Sequence, residues 1–91
     1  MPEKINMFRI VYIDNDISAF QSISAILPEH FSLIHADSGK AGINLIRSRD
    51  PHLVILEIDL PDINGFTLLE QIQELPCAPP VLILTYNKDA K

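Results

Sequence analysis

Residues 50–65 read DPHLVILEIDLPDING, and this stretch decides the fold class. Pro51 prevents the preceding segment from continuing as a helix, because its ring fixes φ and it lacks an N–H group. Residues 53–58 are apolar except for Glu57, and a short apolar run of this kind is typical of a strand buried on both faces. Residues 60–65 are rich in turn-forming proline, aspartate, asparagine and glycine. The stretch therefore predicts a central strand that ends in an acid and is followed by a turn-rich loop.

On both sides of this stretch, short apolar runs alternate with segments in which apolar residues recur at the spacing of a helix. The other predicted strands are residues 9–13, 31–36 and 81–85, and the predicted helices are residues 17–27, 41–47 and 66–75. Asp16 and Ser18 are both good N-caps for the first helix, because each side chain can accept a hydrogen bond from a free helix N–H. The order β-α-β-α-β-α-β predicts an α/β fold with a parallel sheet, helices on both faces and right-handed crossovers.

The spacing of apolar residues also predicts which side of each helix faces the sheet. In the first helix the residues at mainly helical spacing are Phe20, Ile23, Ala25, Ile26 and Leu27. In the second we expect Ala41, Leu45 and Ile46 to point inward, and Lys40, Asn44 and Arg47 to point outward. In the third the apolar stripe is Phe66, Leu69, Ile72 and Leu75.

Length and charge exclude several classes of protein. The chain has 91 residues, with 7 Lys and Arg against 12 Asp and Glu, for a formal net charge of −5. This length allows one small domain, which we place at residues 9–91 after an N-terminal tail at residues 1–8. The acidic balance argues against nucleic-acid binding by this domain, and no apolar run approaches the ~20 residues of a membrane-spanning helix. Because the N-terminus shows no secretory signal and Cys77 is a single cysteine, we expect a cytoplasmic protein.

Polar side chains stand at the carboxyl ends of three predicted strands. Asp14-Asn15-Asp16 follows the first strand, Glu57 interrupts the apolar run of the third near its end, and Thr85 ends the fourth. In a parallel sheet these ends meet in one crevice, where a carboxylate is costly to bury without partners. Clustered acids there indicate either a hard cation with oxygen ligands or a carboxyl group of raised pKa. Each residue also has a simpler interpretation, as a helix cap, a hydrogen-bonded strand-end acid or an ordinary strand threonine.

Three segments resemble bacterial response-regulator receiver domains, and the resemblance extends from about residue 9 onward. Residues 10–16 are similar to the first strand and acidic pair of that family, residues 50–65 to its phosphoacceptor strand and the loop after it, and residues 80–85 to its fourth strand with a terminal hydroxyl. The resemblance implies the flavodoxin-like receiver fold with strand order 2-1-3-4-5. The fifth strand and fifth helix of the family have no counterpart in these 91 residues, so we expect an incomplete receiver.

Departures from the family pattern change what the resemblance implies. Glu57 occupies the position of the aspartate that accepts a phosphoryl group, and Asn15 that of the second acid, a direct Mg²⁺ ligand. Tyr86 follows Thr85, where the family has a small residue, and the lysine of the fifth strand has no position here. We predict that Asp14, Asn15 and Glu57 form a vestigial metal site, with no cofactor or with Mg²⁺ bound only weakly. Thr85 marks the phosphoryl-contact position.

These departures predict an atypical receiver, or pseudo-receiver, of a two-component response regulator. We expect a signalling or protein-interaction module that is not an enzyme and is not phosphorylated. Two alternatives stay open: a Mg²⁺-dependent receiver phosphorylated on a different acid, and a structural dimerisation module. The expected partners are an output domain or a separate signalling protein, and a second copy of the chain. We expect the homodimer because residues 81–85 form an apolar edge strand, which is a template for pairing with another chain.

Overall fold

Four strands and three helices alternate along residues 7–84, the part of the chain that the computed structural model describes. In chain order they are β1 (Phe8–Ile13), α1 (Ile17–Ile26), β2 (Phe31–Ala36), α2 (Gly39–Arg49), β3 (Leu53–Glu57), α3 (Gly65–Gln73) and β4 (Val81–Leu84). The predicted alternation is confirmed, and the predicted bounds differ from the observed ones by no more than two residues. None of the three described helices is long and apolar enough to cross a membrane.

The four strands form one parallel sheet in the order β2-β1-β3-β4. This is the order that the resemblance implied for the first four strands. Tyr12 of β1 lies opposite His35 of β2 and Ile55 of β3, and Ile55 lies opposite Leu82 of β4. Residues paired in this way point to the same face of a parallel sheet, so the register assigns every strand residue to a face. Thr85, the last residue of the predicted fourth strand, lies outside the described residues.

The main core lies between one face of the sheet and the helices α2 and α3. The sheet residues in this core are Val11, Ile13, Ala36, Val54 and Leu56, and the helix residues are Ile46, Leu68 and Ile72. Along β1 and β3 these residues recur at every second position, as the alternation of side chains in a strand requires. Because Ile10 and Tyr12 on the other face are also buried, β1 is covered on both sides, whereas Ile55 on that face of β3 is half-buried.

The opposite face of the sheet is covered in part by α1. Phe20 stacks on His35 of β2 with ring centroids 4.8 Å apart and on Tyr12 of β1 at 6.5 Å. On the same face Leu82 of β4 is 52% exposed. No residue of α1 is fully buried, and Ile26 is 80% exposed. The expectation that Ala25 and Ile26 belong to the stripe with Phe20 is wrong, because successive helix residues are ~100° apart and these two fall on the far side of the helix.

Gly65 fixes the rotation of α3 about its axis. A Cβ atom at this position would lie 2.5 Å from the Cα of Ile58, so glycine allows the first turn of the helix to pack against the chain that leaves β3. This contact places Leu68 and Ile72 in the core and turns Phe66 outward, where it is 53% exposed. The expectation that Phe66 lies on the inward stripe is therefore wrong, and Leu68 takes that place.

Helix α2 has the inward face that the spacing predicted. Ile46 is buried, Ala41 and Leu45 are half-buried, and Lys40, Asn44 and Arg47 are exposed. At the carboxyl end of the helix the guanidinium of Arg9 donates hydrogen bonds to the carbonyl oxygens of Arg49 at 2.9 Å and Asp50 at 2.8 Å. A cation here satisfies free carbonyls and is stabilised by the negative end of the helix dipole. Arg9 thereby ties α2 to β1.

The connection from α3 to β4 lies at the amino edge of the sheet, opposite the strand ends that carry the polar residues. It contains the exposed thiol of Cys77. Three prolines, Pro76, Pro79 and Pro80, lie in the same connection, and they end α3 and limit the pairing of β4 at its start.

Candidate functional site

Two buried carboxylates lie side by side at the carboxyl edge of the sheet. Ile13 of β1 is paired with Leu56 of β3. Asp14 and Glu57 each come one residue later, so they lie next to each other at the carboxyl ends of these neighbouring strands. Asp14 is 1% exposed and Glu57 is 3% exposed. They are the only buried charged residues in the described part of the chain. The sequence predicted that Asp14, Asn15 and Asp16 share one crevice with Glu57. The sheet buries Asp14 and Glu57 there, and we call the site of these two carboxylates the acidic pocket.

Both carboxylate oxygens of Asp14 accept hydrogen bonds from the protein. The hydroxyl of Tyr12 donates to Oδ2 at 3.0 Å, and the backbone N–H of Asp16 donates to Oδ1 at 3.0 Å. The backbone of Asp14 is held as well, because its N–H donates to the carbonyl of Ala36 at 3.0 Å. Its carbonyl lies 2.7 Å from Nε2 of His35. Since a carbonyl only accepts, this nitrogen of His35 carries the proton.

Glu57 has one oxygen paired and one unpaired. Its Oε2 accepts the backbone N–H of Asp59 at 3.0 Å. Its Oε1 is buried and has no hydrogen-bond partner among the described residues. Nearly all buried polar atoms in folded proteins are hydrogen-bonded, so this oxygen marks a place where the pocket can take a further donor.

The loop after β3 is closed on itself and attached to α2. The N–H of Gly65 donates to the carbonyl of Ile58 at 2.9 Å, and Asn64 caps α3 by accepting the N–H of Phe66 at 2.8 Å. Asp62 accepts the backbone N–H groups of Gly39 and Lys40 at the start of α2. These two N–H groups hold the pKa of Asp62 below its ordinary value, since they stabilise the ionised carboxylate. The loop that begins at Glu57 is thus anchored at both ends.

The remaining predicted site residues have different positions. Asn15 and Asp16 lie in the β1–α1 loop and are exposed. Asp16 acts as the N-cap of α1, because its side chain accepts the N–H of Ser18 at 2.9 Å. The prediction that Asp16 or Ser18 caps this helix is confirmed for Asp16. Thr85, the predicted phosphoryl-contact residue, lies outside the described residues.

Three residues that shape this site carry no signal in the sequence that marks them as site residues. The sequence predicts for Tyr12 only a place in the first strand, although its position two residues before Asp14 puts both side chains on one face of the sheet. His35 lies in the second predicted strand, where nothing in the sequence marks a role for it, and it supports the backbone of Asp14. Asp62 gives no periodic signal, since its contact with α2 depends on how the loop folds.

Comparisons with known proteins agree with this geometry. The model of the family described as "Response regulator receiver domain" matches residues 10–91. The chain belongs to this family. It is 36% identical over 78 residues to the "Probable transcriptional regulatory protein SilR" of Salmonella typhimurium, covering 85% of this chain and 34% of SilR. The chain spans about a third of the length of the curated relatives that it matches.

Solved receiver domains share the fold. The BeF3-activated N-terminal receiver domain of RstA from Klebsiella pneumoniae is 28% identical with a TM-score of 0.76, over 85% of this chain and 66% of that one. A CheY-like response regulator receiver domain protein from Methanospirillum hungatei is 28% identical with a TM-score of 0.79, over 87% of this chain and 64% of that one. The chain is therefore a receiver domain with the CheY-like, flavodoxin-like fold.

The receiver family implies a divalent cation at the acidic pocket, and the donors present fit one poorly. Both oxygens of Asp14 already accept hydrogen bonds, and Asn15 has an amide at the position where the resemblance implies a charged ligand. Within residues 7–84 no three or more Asp, Glu, His or Cys side chains are grouped so that they could hold a metal ion. The one buried oxygen open to a cation here is Oε1 of Glu57. A hard cation prefers several charged oxygen ligands, and this set supplies fewer than the family pattern.

Proposed function

We propose that this receiver domain is a pseudo-receiver of two-component signalling, which acts through protein interactions and does not take up a phosphoryl group. The observation that supports it best is the state of Glu57. A glutamate stands at the position of the phosphoacceptor aspartate, is 3% exposed and already accepts the N–H of Asp59. A nucleophilic carboxylate has to be aligned with the incoming phosphorus atom. The side chain of Glu57 is longer than that of aspartate, and its carboxylate is held inward by the N–H of Asp59.

Alignment and charge both disfavour phosphoryl transfer to Glu57. The additional methylene of glutamate moves the carboxylate by ~1 Å, and a misplacement of that size can cost on the order of 10²-fold in rate. Phosphoryl transfer depends mostly on positioning and on neutralising charge with a metal ion. The amide at Asn15 supplies no charge for that metal. We therefore propose that the domain holds one fixed conformation of the pocket, with about one negative charge at Glu57 in place of the ~1.5–2 of a phosphate.

Treatment with acetyl phosphate and Mg²⁺, followed by intact-mass spectrometry, tests this function. We expect no phosphate adduct on the wild-type chain. Glu57→Asp alone should also stay unlabelled, because Asn15 still lacks the charge of the family ligand. A stable adduct that maps to Glu57 would overturn the proposal. An adduct that maps to another acid and is retained in Glu57→Gln would support the alternative of a receiver phosphorylated elsewhere.

The partners and location are part of the same proposal. SilR carries the name "Probable transcriptional regulatory protein" and is about three times as long as the matched region. We therefore propose that this domain works with an output domain or a separate signalling protein in the cytoplasm. With a net charge of −5, nucleic-acid binding would belong to that partner. We also propose a homodimer through β4, where Leu82 is 52% exposed and β4 is the outer strand of the described sheet.

A further inference from the structure

We propose that the Tyr12 hydroxyl is a built-in donor that occupies Asp14 in place of a cation and so lowers the affinity of the acidic pocket for divalent ions. Nothing in the family pattern quoted above assigns Tyr12 a role. The inference rests on the proposed function, since a pocket that binds no phosphoryl group has no need of a metal ion. It concerns this chain's own residue and is measured by cation binding rather than by phosphorylation.

Tyr12 is held so that its hydroxyl reaches Asp14. Its side chain is fully buried, and Phe20 stacks on it with ring planes 22° apart. The ring of His35 lies 6.4 Å from that of Tyr12 and stacks on Phe20 at 4.8 Å, so the three rings form one cluster. The 3.0 Å hydrogen bond to Oδ2 of Asp14 is therefore set by packing as well as by polarity.

This hydrogen bond competes with a cation for the same oxygen. A hydrogen bond to a carboxylate is roughly twice as strong as one between neutral groups, and the bond between Tyr12 and Asp14 is buried. The second oxygen of Asp14 accepts the N–H of Asp16. A cation that binds Asp14 has to displace the phenol or share the oxygen with it. If the hydroxyl is removed, a buried carboxylate oxygen is left unpaired, which is costly and which a cation would relieve.

Removal of the hydroxyl would give the pocket two open oxygens on neighbouring strands. Oε1 of Glu57 is already without a partner among the described residues, and Oδ2 of Asp14 would join it. Two carboxylate oxygens at one edge of a parallel sheet form the beginning of a hard-cation site. Tyr12→Phe removes the hydroxyl and keeps the ring, so it is the smallest change that opens this site.

Titration calorimetry with Mg²⁺ on the 91-residue chain tests the inference. We expect Tyr12→Phe to bind Mg²⁺ about tenfold more tightly than the wild type, the size expected when one buried hydrogen bond to a charged group is lost. Asn15→Asp is the positive control, because it adds a charged oxygen ligand, and it should also tighten binding. Phe8→Leu removes an aromatic ring at the opposite end of β1, where Phe8 is 37% exposed, and it should leave the affinity for Mg²⁺ unchanged. In Tyr12→Phe combined with Glu57→Gln the gain should disappear.

The outcomes separate this inference from the proposed function. Equal Mg²⁺ affinity in wild type and a cooperatively melting Tyr12→Phe would overturn the role of Tyr12, while an unlabelled wild type would leave the proposed function standing. A phosphate adduct on Glu57 of the wild type would overturn the proposed function, whether or not Tyr12→Phe binds Mg²⁺ more tightly. If Tyr12→Phe does not fold, Mn²⁺ is added to the wild type and followed by NMR. The Tyr12 ring signals should broaden no earlier than the amide signal of the exposed Glu74 at the end of α3, and early, selective broadening at Tyr12 would overturn the inference.

Discussion

Asp62, in the loop after β3, caps helix α2 by accepting the backbone N–H of Gly39 at Oδ1, 2.9 Å away. Its other oxygen accepts the N–H of Lys40 at 3.0 Å. The carboxylate therefore satisfies two of the free donors at the start of α2 and lies at the positive end of its dipole. Since Glu57 fixes the first residues of the same loop through Asp59, the loop beside the acidic pocket is attached to both a strand and a helix.

We expect Asp62→Asn to lower the melting temperature and to speed hydrogen exchange at the amides of Gly39 and Lys40. The asparagine keeps one acceptor oxygen and turns an NH2 group toward the other N–H. Asp59→Asn is the matched control, because it removes the same charge from the same loop at an exposed side chain that makes no hydrogen bond within the described residues. If both variants change the exchange of these two amides equally, the cap does not stabilise α2.

The effect of Asp62 should depend on pH in a defined direction. Its pKa in the folded chain is lowered from 3.8 by the N–H groups of Gly39 and Lys40. A group whose folded pKa is depressed contributes stability above its unfolded pKa and loses it as the pH falls through the folded pKa. The difference in melting temperature between wild type and Asp62→Asn should be constant near neutral pH and shrink once the pH falls below 3.8. A difference that grows on acidification would contradict this assignment.

A pair of alanine substitutions tests the rotation of α3. Leu68 is 1% exposed and Phe66 is 53% exposed, although both are large apolar residues of the same helix. Leu68→Ala should lower the free energy of unfolding by ~2–5 kcal/mol, as is usual for a buried leucine. Phe66→Ala should cost much less, about 1 kcal/mol or below. Denaturant titration of both variants measures the difference, and the reverse order would show that the helix is turned the other way.

Self-association through β4 can be measured by sedimentation equilibrium at micromolar concentration. We expect the wild-type 91-residue chain to form a dimer, and Leu82→Lys to shift it to monomer, because a charge on an edge strand opposes pairing with another chain. Asn44→Lys adds the same charge to the exposed side of α2, which packs on the opposite face of the sheet, and should leave the dimer intact. A wild type that sediments as a monomer and melts cooperatively would refute the proposed homodimer.

The sequence predicts the framework of this molecule well because the framework depends on local periodicity. An apolar run such as the one before Glu57 is visible in consecutive residues. The same is true of the helical spacing of the apolar residues around Ile46. The strand order was implied by the resemblance to receiver domains, and the sheet confirms it. The juxtaposition of Asp14 and Glu57 follows from that order, since the carboxyl ends of neighbouring parallel strands meet.

The parts that the sequence did not predict depend on contacts between distant residues. Phe66 and Leu68 both fit an apolar stripe, and the choice between them is made by the close packing of Gly65 on Ile58. The hydrogen-bond donor to Asp14 is the hydroxyl of Tyr12, a residue whose sequence context predicts only a place in a strand. The cap of α2 by Asp62 joins residues 23 positions apart in the chain, and no spacing rule connects them.

The exposed thiol of Cys77 is a site for selective chemical coupling. Cys77 is the only cysteine in the chain, and it lies in the connection before β4, at the edge of the sheet away from Asp14 and Glu57. A maleimide would therefore couple the wild-type protein to a biosensor chip at one known point, without any engineered residue. Immobilised in this way, every molecule would present its strand ends to the solution. Candidate partner proteins could then be screened over a uniformly oriented surface.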